Sequence, residues 1–121
     1  MHIDSHFDSG NIEVVDITDD THAKLRIRKD AGDEHMQWFY FRVDGAAGKA
    51  CTLQIINAGD ASYPRAWNGY RVCTSVDREN WTRVDTEFED GVLTIAHMPE
   101  AQMQWYAYFA PHTHEQHLDL D

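Results

Sequence analysis

The chain has 121 residues, and 10 basic against 21 acidic side chains give it a formal net charge of −11 at pH 7. Because this charge repels phosphate groups, the composition argues against nucleic-acid binding and against attraction to anionic membrane surfaces. The length predicts a single domain, and a hydrophobic content of 42% supplies material for a core, which excludes a wholly disordered chain.

The sequence also lacks the signals of membrane insertion or export. No stretch approaches the roughly 18 consecutive apolar residues of a spanning helix, and the first residues carry no basic segment followed by an apolar one. We interpret Cys51 and Cys73, each within an apolar run, as reduced and buried side chains. These features lead us to expect a cytoplasmic protein.

Short stretches of alternating apolar and polar residues recur along the chain, whereas helical periodicity is scarce. In chain order they predict strands at residues 12–17, 23–28, 37–43, 50–56, 70–76, 81–84, 87–88, 92–96 and 104–109. Residues 77–80 and the Asp-Gly turn at 89–91 are expected to connect two hairpins. Eight or nine short strands predict an all-β fold, a two-sheet antiparallel β-sandwich of jelly-roll or Greek-key type. We assign it to residues 1–111, followed by a terminal segment at 112–121.

Two of the predicted strands have unusual faces. The strand at 37–43 is aromatic on both faces, which fits a central strand covered on each side or a strand whose outer face meets another body. The strand at 23–28 has one basic face, formed by Lys24, Arg26 and Arg28 and continued by Lys29. We interpret that basic face as solvated rather than as an anion site.

The sequence shows no reaction centre. His112, His114 and His117 have a spacing that zinc accepts, but they follow a proline at the end of the chain and lack a fourth ligand fixed by a sheet. We interpret them as a solvated terminal tract. The acidic groups at residues 16–20 and 87–90 do not match a calcium loop, and no serine or cysteine stands in a nucleophile motif. The prediction is therefore no catalytic residue and no metal site.

The loop at residues 57–70 is unusual because it combines turn residues with three large aromatic side chains, Tyr63, Trp67 and Tyr70. Two interpretations remain open. The loop contacts another surface, or Tyr63 and Trp67 fold back beneath their own loop as a small local core.

Several segments, taken in order, carry a family resemblance that extends through nearly the whole chain. They lie at residues 10–15, 37–43, 57–64, 67–70, 77–81 and 106–111. Together they resemble the amino-terminal β-sandwich domain of the cytosolic carboxypeptidase subfamily of zinc metallocarboxypeptidases. The resemblance implies a non-catalytic domain that packs against a following peptidase domain of the same chain. The zinc would belong to that peptidase domain, with no cofactor in this one, and residues 112–121 would begin the passage into it.

The resemblance also implies an interface for the peptidase domain. The candidate residues for it are Asn57, Asp60, Tyr63, Pro64, Trp67 and Tyr70 of the loop, with Trp38 and Tyr40 of the aromatic strand. The implied function is to support folding, positioning or substrate access of the peptidase domain. The alternative is a free-standing carbohydrate- or peptide-binding module that uses exposed aromatic rings. An isolated accessory domain can dimerise through its bare interface, whereas a binding module is expected to be a monomer.

Overall fold

The structure is a computed structural model, and it describes residues 1–7, 10–19, 21–28, 38–60, 67 and 69–108. The strands are β1 (His2–Asp4), β2 (Glu13–Asp19), β3 (His22–Arg26), β4 (Tyr40–Asp44), β5 (Cys51–Ile55), β6 (Cys73–Ser75), β7 (Thr82–Arg83), β8 (Thr86–Glu89), β9 (Val92–His97) and β10 (Met103–Ala107). A short 3-10 turn spans Ala58–Asp60. In the described residues no helix is long and apolar enough to cross a membrane.

The strands form two five-stranded sheets. Sheet I has the order β1-β4-β10-β6-β7, and sheet II has the order β2-β3-β5-β9-β8. The predicted all-β, two-sheet fold is confirmed. The pairing is not wholly antiparallel, however, because β3 and β5 are parallel neighbours. Between them the chain passes through β4 in sheet I, so it returns to sheet II in the same direction.

Each predicted strand has a counterpart, and both predicted hairpins form. Strands β6 and β7 are antiparallel neighbours across residues 77–80. Strands β8 and β9 are joined at Asp90 and Gly91, whose φ angles of 53° and 80° suit a tight hairpin turn. Strand β1 was not predicted. It has only three residues, and it exists because Ile3 pairs with Val43 of β4.

The core lies between the facing surfaces of the two sheets. Burial alternates along β5, where Cys51, Leu53 and Ile55 are buried and the residues between them are not. Both sheets contribute core side chains that are almost fully covered. Those of sheet I are Phe41, Val43 and Tyr106, together with Phe39 just before β4, and those of sheet II are Leu25, Leu53, Ile55, Leu93 and Ile95. Cys51 and Cys73 are both buried thiols that take part in no disulfide within the described residues, as predicted.

The outward surfaces of the two sheets differ. Sheet II presents polar side chains, among them Thr52, Gln54 and Thr94. Its basic residues Lys24 and Arg26 are exposed, as the sequence predicted. Arg28 just beyond them is exposed as well, and Lys29 lies outside the described residues. Sheet I instead turns aromatic side chains outward.

The loop that follows β5 packs against the β8–β9 hairpin through two glycines. The Gly59 amide donates a hydrogen bond of 2.9 Å to the Gly91 carbonyl oxygen. A Cβ atom on Gly59 would lie 2.7 Å from Gly91 Cα, which is closer than real Cβ atoms approach. The contact therefore requires glycine at position 59.

We predict that Gly59→Ala lowers the free energy of unfolding by about 1–3 kcal/mol, because two backbone segments must separate to admit the methyl group. Asp60→Ala is the control, since that side chain is exposed in the same turn and its loss should cost less than about 0.5 kcal/mol. Urea unfolding measures both variants. Equal stabilities for the two would show that the close approach does not constrain the fold.

Candidate functional site

The structure describes six of the eight predicted interface residues. Tyr63 and Pro64 lie outside the described residues, and so do His112, His114 and His117. Asn57, Asp60, Trp67 and Tyr70 lie at the end of the sandwich where the loop begins and ends, whereas Trp38 and Tyr40 lie on the outward face of sheet I.

Asn57 fixes the start of the loop. Its side chain is 6% exposed and pairs with both backbone groups of Ile27. The Ile27 amide donates to Asn57 Oδ1 at 2.8 Å, and Asn57 Nδ2 donates to the Ile27 carbonyl oxygen at 3.0 Å. The side chain thus continues the β3–β5 ladder by one step beyond the Ile56 amide, which donates to the Leu25 carbonyl oxygen. Asp60, three residues later, is exposed.

Trp67 is covered by the domain itself. Its side chain is 1% exposed, and its Nε1 donates a hydrogen bond of 2.9 Å to the Ala58 carbonyl oxygen. Its ring lies 6.2 Å from Phe39, 5.2 Å from Tyr70 and 5.3 Å from Tyr108. We call Phe39, Trp67, Tyr70 and Tyr108 the end cluster. Trp67 therefore packs against residues of its own domain, and Tyr63, the other residue of the predicted local core, lies outside the described residues.

Tyr70 ties the end cluster to the last strand. Its hydroxyl donates one bifurcated hydrogen bond, shared between the carbonyl oxygens of Ala107, at 3.3 Å, and of Tyr108. Burial raises the pKa of the Tyr70 hydroxyl above its usual value, so the group stays protonated and remains a donor. The place where β10 ends is therefore fixed by the end of the loop.

A second aromatic group covers the outward face of sheet I around Tyr40. Although Tyr40 points away from the core, it is only 1% exposed. Its ring lies 4.9 Å from Phe7, 5.8 Å from Trp38 and 6.0 Å from Trp81. Arg78 Nε donates a hydrogen bond of 2.7 Å to the Tyr40 hydroxyl. The strand is thus covered on both sides at Tyr40, which fits one of the two alternatives that its aromatic faces left open.

Arg78 lies over three aromatic rings of this face. Its guanidinium carbon is 5.3 Å from the Phe7 ring centre, 5.5 Å from that of Tyr40 and 5.8 Å from that of Trp105. Contacts of this kind are attractive because the face of an aromatic ring is negative. We define the Arg78 cluster as Phe7, Trp38, Tyr40, Arg78, Trp81 and Trp105.

The turn at Asp77 holds Arg78 in place. Asp77 Oδ1 accepts hydrogen bonds of 2.9 Å from the amides of Glu79 and Asn80, and Ser75 Oγ accepts one of 2.8 Å from the Arg78 amide. These bonds hold Arg78 at a φ of 66°, a conformation that side chains other than glycine rarely adopt. The same hydrogen bonds from the Asn80 and Glu79 amides lower the pKa of the Asp77 carboxyl well below its usual range.

The sequence interpretation missed four members of the Arg78 cluster, namely Phe7, Arg78, Trp81 and Trp105. One signal was present, since Trp105 alternates with the inward-facing Tyr106 along a predicted strand. Arg78 carried no signal because it lies in a charged hairpin turn. Its ring partners come from residues 7, 40 and 105, which only the sheet pairing brings together.

The remaining surface offers little chemistry. A shallow groove of about 420 Å³ is lined by Tyr70, Arg71, Asp85, Thr86 and neighbouring residues of β8 and β9. Arg71 and Asp85 form an exposed ion pair of 3.4 Å there. Within the ranges that the structure describes, no three His, Cys, Asp or Glu side chains are grouped to hold a metal ion.

We predict that Asn57→Ala lowers the free energy of unfolding by about 3 kcal/mol, because it leaves the buried amide and carbonyl of Ile27 without these partners. Gln54→Ala is the control, since this side chain faces outward on β5 and its loss should cost less than about 0.5 kcal/mol. Urea unfolding of both variants measures the difference. A loss no larger than that of the control would contradict the anchoring role.

We also predict an acid-sensitive contribution from Asp77. Its pKa is lower in the folded than in the unfolded chain, so its stabilisation is present above the usual value near 3.8 and is lost as the pH falls through the folded value. Urea unfolding at pH values between about 2 and 6 should show a shallower acid decline for Asp77→Asn than for the unchanged chain. Asp60→Asn, which removes another exposed carboxyl group, is the control. Parallel declines in all three would contradict the prediction.

Comparison with known proteins identifies a family and several similar proteins. Residues 3–109 match the family described as the cytosolic carboxypeptidase N-terminal domain. A curated relative, an uncharacterized protein of Zymomonas mobilis, is 42% identical over 120 residues, which is 99% of this chain and 31% of that protein.

Solved structures show the same relation. A metallo-carboxypeptidase from Burkholderia cenocepacia is 41% identical with a TM-score of 0.90, over 98% of this chain and 31% of its own. A metallo-carboxypeptidase from Pseudomonas aeruginosa, solved with (2-guanidinoethylmercapto)succinic acid, is 39% identical with a TM-score of 0.89, over 99% of this chain and 32% of its own. The chain therefore spans about a third of the length of these relatives. It belongs to the family of cytosolic carboxypeptidase N-terminal domains.

Proposed function

We propose that this chain is the non-catalytic amino-terminal domain of a longer, cytoplasmic zinc carboxypeptidase, and that it supports the folding, positioning or substrate access of a peptidase domain that follows. One observation carries the proposal. The structural match takes in 98–99% of this chain but only 31–32% of the two metallo-carboxypeptidases. The remaining length of such a protein is ample for a second domain.

The zinc belongs to the second domain in this proposal. A zinc ion in a peptidase polarises the carbonyl group of the peptide bond that is cut. The described residues of this chain do not fit the ion, because no set of metal-ligating side chains is grouped among them. We therefore assign no step of the peptide cleavage to this chain.

The contribution of this chain is a rigid surface. Two sheets packed over a continuous core give it an outward face whose side chains are held by contacts from several strands. Trp38 is half-buried on that face and remains in the proposed interface, whereas Tyr40 is 1% exposed and supports the face from beneath. Asn57 and Trp67 are buried, so they support the interface indirectly by fixing the two ends of the loop. Asp60 is the exposed member of the loop and also remains.

We expect the longer chain, in which these residues precede the peptidase domain, to require them. Deleting residues 1–108 should abolish the yield of soluble peptidase or its release of carboxyl-terminal amino acids from peptides. The reason is that a buried interdomain face would become exposed on the peptidase domain. Soluble yield and peptide cleavage are measured for both forms. Full yield and full activity after the deletion would contradict an accessory role.

The alternative, a free-standing binding module, makes the opposite prediction for the 121 residues alone. An accessory domain with a bare interface should self-associate as its concentration rises, whereas a module should sediment as a monomer of 14.0 kDa. Sedimentation velocity distinguishes the two. A monomer that binds an oligosaccharide or a peptide by itself would favour the module.

A further inference from the structure

We infer that the outward face of sheet I, centred on the Arg78 cluster, is the surface on which the peptidase domain of the longer chain docks. This inference rests on the proposed function and deepens it, because it selects one face of the sandwich and names an anchor residue. Four observations support it: the composition of the cluster, the contrast with sheet II, the charge of Arg78, with which no described carboxylate pairs, and the position of the last described strand.

The Arg78 cluster has the composition of an interface centre. Phe7, Trp38, Trp81 and Trp105 are half-buried, and Arg78 above them is exposed. Tryptophan, tyrosine and arginine are the residues that most often dominate binding energy in protein interfaces. Here they occupy one continuous patch, since each is in contact with Tyr40 or with the guanidinium of Arg78.

The other outward face lacks these features. Sheet II presents Lys24, Thr52, Gln54 and Thr94 to solvent, which is an ordinary polar surface. Its edge strand β2 exposes Val14 and Val15, but two register irregularities interrupt its pairing with β3. Such bulges protect an edge from pairing with another chain. Sheet I is therefore the face suited to a permanent neighbour.

Arg78 offers a charge that the described residues do not neutralise. Its Nε bonds to the Tyr40 hydroxyl, and no carboxylate in the described part of the chain forms an ion pair with its guanidinium. The Asp77 turn holds Arg78 at a φ of 66°, and its guanidinium lies over three aromatic rings. On a chain of net charge −11 this cation suits a carboxylate or carbonyl oxygen of the docked domain. The ring of Trp81 lies 6.0 Å from that of Tyr40, and its buried Nε1 has no hydrogen-bond acceptor among the residues that the structure describes.

The fourth observation is the position of the last strand that the structure describes. Trp105 belongs to β10, the last strand that the structure describes, and β10 lies at the centre of sheet I between β4 and β6. In the relatives about two thirds of the protein lies outside the part that matches this chain. In an amino-terminal domain that remainder follows β10. The peptidase domain is therefore connected to the sheet that carries the cluster.

The test uses Arg78→Glu in the longer chain, with Arg26→Glu as its control. Arg26 is also exposed, lies on sheet II, and undergoes the same change of charge. Protease cleavage of the segment that joins the two domains reports the undocked form. We expect Arg78→Glu to speed that cleavage about thirtyfold, the factor that corresponds to losing an interface anchor of about 2 kcal/mol. Arg26→Glu should leave the rate unchanged.

A second measurement on the unaltered longer chain does not depend on how Arg78→Glu folds. Hydroxyl-radical labelling should modify Trp81 and Trp105 slowly, whereas Met98, which is 53% exposed outside the cluster, should react rapidly. Rapid labelling of both tryptophans, or equal cleavage of the two arginine variants, would overturn the docking surface. The third measurement is the soluble yield and activity of the longer chain after deletion of residues 1–108. If the deletion leaves yield and activity intact, the proposed function is refuted as a whole. If the deletion is harmful but the two arginine variants are cleaved at equal rates, only the docking surface is refuted.

Discussion

Strand β4 is covered on both of its faces at Tyr40, and the arrangement of the outward face of sheet I depends on that double cover. Its inward side chains, Phe41 and Val43, join the core between the sheets. Its outward Tyr40 is 1% exposed because rings and Arg78 lie across it. A strand in an ordinary sandwich keeps one face in water. This one needs a second layer, and the Asp77 turn provides it by holding Arg78 in position.

The two aromatic clusters differ in how completely the domain covers them. The end cluster is closed, since Trp67 and the hydroxyl of Tyr70 bond to the backbone of the same domain. The Arg78 cluster is open, because its tryptophans are half-buried and its cation is exposed. The closed cluster fixes the two ends of the loop, whereas the open one leaves aromatic and charged surface accessible. Such a surface is what the proposed docking of a peptidase domain requires.

The sequence predicted the strands and turns that depend on residues close together in the chain. Alternation located β5, and the Asp-Gly pair located the β8–β9 turn. It missed β1 and the parallel pairing of β3 with β5, because both depend on where a distant strand lies. For the site, the aromatic strand was found, but the burial of Asn57 was not. Its partner is the backbone of Ile27, thirty residues away, and no local pattern records such a bond.

The central claim is that this sandwich is one domain of a longer carboxypeptidase. The most direct test is the intact mass of the native product, captured with an antibody against this domain from the cells that make it. The account predicts a species several-fold larger than 14.0 kDa that contains the peptidase domain. A native product of 14.0 kDa would contradict it and leave a free-standing sandwich, whose open aromatic face would then have to bind a separate partner.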